Sequence, residues 1–99
     1  MKLLTIEIRQ QLEANGKQQE PVKGTKDEMD FHPVVKLFTP DANATWLLSE
    51  IDPHNTDIAF GLCDLGMGYP ELGSVSIAEL EALRGVLGLP VERDQHFKA

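Results

Sequence analysis

The chain has 99 residues, a formal net charge of −7, 41% hydrophobic and 25% charged residues, and a sequence pI near 4.8. That is one domain with ordinary globular composition and enough chain to bury a modest core. It excludes a membrane-spanning helix, since no apolar run approaches about 18 residues, and it sets Glu7 where a secretory leader needs an unbroken apolar stretch.

The chain opens with a helix. Thr5 stands at an N-cap position, Leu4, Ile8 and Leu12 form a stripe at helical spacing, and Gly16 reads as a stop, so a helix is predicted over 5–14. Residues 15–32 follow with glycine and proline punctuation, several charges and no period, which predicts a long mobile loop. Val34 to Thr39 reads as a strand, closed by the turn chemistry of Pro40-Asp41-Ala42-Asn43. Thr45 to Ile51 reads as its antiparallel neighbour, with a second turn at Asp52-Pro53-His54-Asn55. Ile58, Phe60 and Leu62 alternate with Ala59, Gly61 and Cys63. This predicts a third strand with one large-residue face and a small-residue face under a closely packed element such as a helix.

A glycine-bearing connection leads to a fourth strand over 69–75, with Pro70 at its start. Ser76-Ile77-Ala78-Glu79 is a capping box, and Ile77, Leu80, Leu83 and Leu87 continue it as an apolar stripe stopped by Gly85 or Gly88 and Pro90. Val91 to Asp94 reads as a last edge strand or an extended tail. The predicted fold is α+β: a single domain over 1–99, with an antiparallel sheet of three to five strands packed against an N-terminal and a C-terminal helix.

Several stretches carry a resemblance. Lys36-Leu37-Phe38-Thr39-Pro40, Thr45-Trp46-Leu47-Leu48, Phe60 to Gly66, Pro70-Glu71-Leu72-Gly73, Ser76 to Leu80, and Gly88 to Asp94 with Phe97 are together similar to a small family of uncharacterised bacterial proteins, a domain of unknown function. The opening Met1-Lys2-Leu3-Leu4-Thr5 fits the same pattern, while 15–32 matches poorly. The resemblance implies a bacterial cytoplasmic setting, often on plasmids and other mobile elements near replication or conjugation genes. It assigns no reaction.

The residues themselves offer few reactive constellations. The glycines of Gly61 to Gly68 have the spacing of a phosphate loop, but Met67-Gly68 replaces the Lys-Ser/Thr pair and Asp64 would repel a phosphate. His32, His54, Cys63 and His96 lack metal-ligand spacing, and Asp52, His54, Asn55 and Asp57 suit an Asx turn better than a calcium loop, so no metal and no cofactor is expected. Cys63 is alone, cannot form an internal disulfide, suits a reducing cytoplasm and reads as an inert buried thiol. The basic residues are scattered among acidic neighbours, which disfavours direct nucleic-acid binding.

Carboxylates are plentiful. Strand alternation puts Glu50 and Asp52 on one face with Trp46 and Leu48, so Trp46 either floors an acidic site or lies buried with Glu50 at the solvent edge. Within Glu92-Arg93-Asp94, Arg93 either clamps a ligand's acid group or forms an internal ion pair with Glu71 or Glu50. The binding candidates are thus Trp46, Glu50, Asp52, Glu71, Glu92, Arg93 and Asp94, with no catalytic residue identified. The first reading is a non-catalytic cytoplasmic protein-interaction module with a protein partner, itself a monomer or a weak homodimer. The alternative is a small-ligand-binding protein or enzyme with an acidic site around Trp46, Glu50, Asp52, Glu71 and Arg93.

Overall fold

Residues 3–98 are described by a computed structural model of the chain. Helix α1 spans Ile6–Gln19, and the Thr5 hydroxyl caps it by accepting from the Ile8 amide at 3.1 Å. The helix runs past the predicted end because Gly16 is a point of contact. A Cβ there would lie 1.8 Å from the carbonyl oxygen of Ile51, so only glycine lets the helix lie this close to the strand beneath it. Asn15 adds a buried hydrogen bond to the Ser49 carbonyl, 2.8 Å. The predicted loop is accordingly shorter. Residues 15–19 belong to α1 and Glu20–Val22 form a 3-10 turn. Beyond them the Gln19 amide group donates to the Met29 carbonyl and accepts from the Met29 amide.

The sheet contains β1 (Val35–Phe38), β2 (Thr45–Ile51), β3 (Ile58–Asp64), β4 (Glu71–Ser76) and β5 (Glu92–Arg93), in the order β4-β3-β2-β1-β5. Every neighbouring pair is antiparallel. The register sets rows of side chains across the inner face. Arg93, Leu37, Trp46, Cys63 and Glu71 form one row, Val35, Leu48, Gly61 and Gly73 the next, and Ile51, Ala59 and Val75 a third.

Large residues of β2 therefore stand beside small residues of β3, and the small face of β3 is the inner one. Its glycine makes room for a strand rather than a helix, since a Cβ on Gly61 would lie 2.1 Å from the Leu47 carbonyl of β2. The large residues Ile58, Phe60 and Leu62 point to the other face with Leu47 and Leu72, where they are half-buried except for the exposed Leu72.

One apolar core joins Leu3, Leu4 and Leu12 to Val35, Leu37, Trp46, Leu48 and Ile51 of the sheet, and to Ile77, Leu80 and Val91. Leu3 is strapped on both sides. Its amide donates to the Glu81 carboxylate, and its carbonyl accepts from the Arg93 guanidinium.

Helix α2 spans only Ile77–Ala82, half the length its stripe predicts. The Ser76 hydroxyl accepts from the Glu79 amide as the capping box requires, while Asp57 accepts from both the Ser76 hydroxyl and the Ala78 amide. Beyond Leu83 a remote residue takes over. The Asp41 carboxylate accepts from the amides of Leu87 and Leu89, Gly88 turns with φ +79°, and Arg84 bridges back to Pro90. Leu83 and Leu87 consequently leave the stripe and are exposed. Among the described residues no helix is long and apolar enough to cross a membrane.

Candidate functional site

The candidate residues divide among separate hollows. Glu92, Arg93 and Asp94 line a surface hollow of about 640 Å³ beside β1 and β5, together with Lys36. Its fixed charges balance: Lys36 sits 3.7 Å from Asp94, and Arg93 is committed to the Leu3 carbonyl rather than to Glu71 or Glu50. Glu50 and Asp52 line a second hollow of about 210 Å³ between the end of α1 and the β2–β3 turn. Trp46 and Glu71 line a third, of about 620 Å³, beside β4.

A β-bulge causes the first separation. Leu48 pairs with Gly61 and Glu50 with Phe60, leaving Ser49 unpaired between them. The extra residue reverses the alternation, so Glu50 stands on the face opposite Trp46 instead of sharing it. Burial raises the Glu50 carboxyl above its usual range, opposed by the Gln19 amide that donates to it and by Lys23, and reinforced by Glu28. Asp52 is occupied in its turn, accepting from the His54 amide at 2.8 Å, and His54 reaches across to Glu20. Among the described residues no three His, Cys, Asp or Glu side chains are placed to hold a metal ion.

The third hollow is built differently. Trp46 (4% exposed), Cys63 and Val75 form its floor, and Leu65, Met67 and Tyr69 of the β3–β4 connection form a wall. Consecutive residues Glu71, Leu72, Gly73, Ser74 and Val75 all line it. Because successive side chains of a strand alternate in direction, a hollow touching every one of them follows the strand's free edge rather than one face. A smaller hollow shares Trp46, Ser74 and Val75 and continues toward Glu79, Leu80 and Leu83 of the α2 segment. The result is an apolar groove along β4 from one connection to the next.

Within it the chemistry is quiet. The Cys63 thiol is pushed up by burial, which keeps it protonated and unreactive, and neither hollow includes a lysine, arginine or histidine. Exposed apolar side chains dominate instead: Leu65 at 55%, Met67 at 71%, Tyr69 at 81% and Leu72 at 69%. A cluster of this kind is the usual mark of a binding surface rather than of solvent-facing chain.

Sequence reasoning singled out Trp46 and Glu71 but missed Leu65, Met67, Tyr69, Leu72 and Gly73. The available signal was the concentration of large apolar residues in a glycine-bearing connection, where turn chemistry alone calls for polar ones.

A family profile described as a protein of unknown function (DUF2958) matches residues 3–99. No curated protein and no solved structure matches the chain.

Proposed function

The chain belongs to the DUF2958 family, proteins of unknown function, and we propose that it acts as a non-catalytic protein-interaction module whose docking surface is the groove along β4. The observation that carries this reading is the exposure of Leu65, Met67, Tyr69 and Leu72 around the Trp46 floor, with a protonated thiol, the Tyr69 phenol and a single carboxylate, Glu71, as the ionisable groups of that hollow. Such a lining offers contact area and no acid–base or nucleophilic pair. Of the residues singled out from the sequence, Trp46 and Glu71 stay in the proposed surface. The setting we propose is the bacterial cytoplasm, in cells carrying mobile elements, supported by the motif resemblance and by the lone Cys63.

Site-specific photo-crosslinking in a bacterial host that carries the gene tests the surface. A crosslinker at Met67 is expected to trap one specific protein, while the same group at Lys17, exposed on α1, traps none. Equal labelling from both positions, or none from Met67, refutes the docking role.

A further inference from the structure

The free edge of β4 deepens that reading, on which the following inference rests. β4 is paired on one side only, with β3. Among the described residues no other backbone hydrogen bond is made by Glu71 to Val75, so alternate N–H and C=O groups face outward without a partner strand. Edge strands are commonly protected by lysine, proline, a bulge or extreme shortness. β4 has six residues, ELGSVS, with none of these devices inside it and Glu71 as its only charge.

Gly73 adds an independent observation. It sits mid-strand, where glycine weakens a sheet. No positive φ requires it, and a Cβ built on it would meet nothing within 4 Å. Neither backbone geometry nor packing within the chain calls for a glycine here. What its missing side chain does leave is a notch on the inner face, in the row of Gly61 and Leu48 and flanked along β4 by Glu71 and Val75. Carboxylates stand at both ends of the groove, Glu71 at one and Glu79 at the other, with no cation in the lining.

We propose that β4 accepts an extended segment of a partner protein as a sixth strand, with an apolar side chain seated over Gly73 and basic side chains directed toward Glu71 and Glu79. Main-chain hydrogen bonds to the outward groups of β4 supply affinity, and the notch with its acidic ends supplies selectivity for alternating apolar and basic side chains. The charge pattern favours a basic partner over a second copy of this chain, whose own −7 would oppose pairing.

Short random peptides displayed on phage and panned against the full chain supply the test. Enriched sequences are expected to alternate basic and apolar residues with a period of two. The selected peptide, added to the wild-type chain, should slow hydrogen exchange at the β4 amides. Gly73→Val fills the notch with a strand-favouring side chain, so its Tm should hold or rise while affinity drops about tenfold or more. Glu71→Gln should weaken binding less and flatten its salt dependence.

Enrichment at helical spacing, unaltered β4 exchange, or Gly73→Val binding like wild type each overturns strand addition. If crosslinking from Met67 still succeeds in those cases, docking survives and only its mode is wrong. A concentration-dependent dimer abolished by Gly73→Val would assign the edge to a second copy and overturn the partner proposed here. Failure to enrich any peptide overturns the proposal as well. The exchange measurement uses the wild-type chain and so is independent of any folding defect in the variant.

Discussion

The two margins of the sheet are finished in opposite ways. β5 has two residues, carries the charges of Glu92 and Arg93, and is tied down by the Arg93–Leu3 bond and the Lys36–Asp94 pair. β4 is three times as long and nearly uncharged, and it is flanked by apolar side chains left in solvent. Charge and shortness blunt an edge, whereas length and neutrality leave a template for pairing. One molecule thus shows both solutions, a closed margin beside β1 and an open one beyond β3.

Substitutions should separate these halves, and the largest effect belongs to the closed one. Gly16→Ala places a methyl group against the Ile51 carbonyl. The helix propensity gained, about 1 kcal/mol, is outweighed by the collision, and a net loss of about 3 kcal/mol is expected in urea unfolding. A smaller loss, about 2 kcal/mol, is expected for Arg93→Ala, which removes a charged donor from the half-buried Leu3 carbonyl. Ser76→Ala deletes the cap of α2 at the inner end of the open half and should cost about 1 kcal/mol by the same measurement.

Glu50→Gln probes the bulge. Burial lifts the folded Glu50 carboxyl above 4.5, so between that value and the raised one the folded chain holds a proton that the unfolded chain has released. Stability therefore falls as pH rises through this window. The side chain is only partly buried and solvent screens it, so the slope is worth about 0.5 kcal/mol or less. Glu50→Gln should remove this falling contribution, read as the change between pH 4 and 7 in the stability difference between variant and wild type. Smallest of all is Leu72→Ser at the open margin, expected within about 0.5 kcal/mol of wild type because the side chain is already in water. A Leu72→Ser loss rivalling that of Arg93→Ala would break the division between the halves.

Much of the fold was legible because its signals are local. Alternation and turn residues located β1 to β4, Thr5 and Ser76 marked two helix starts, and the α+β class followed. The departures have non-local causes. Gly16 looks like a stop until Ile51 is seen beneath it. The stripe through Leu83 and Leu87 is cut short by Asp41, more than forty positions earlier. The bulge at Ser49 carries no composition of its own, yet it moves Glu50 to the opposite face and takes the expected acidic site apart. Gly73 falls inside the predicted fourth strand without a role of its own, and only the empty space over it sets it apart.

The strap at Leu3 also bears on synthesis. The hairpins joining β2, β3 and β4 close over short loops, while the bond between Arg93 and Leu3 spans 90 positions. Loop entropy makes such distant closures the slow ones. A chain emerging from the ribosome would complete its open β4 margin first and shut the opposite one last, so the unpaired edge is on display before the molecule is finished.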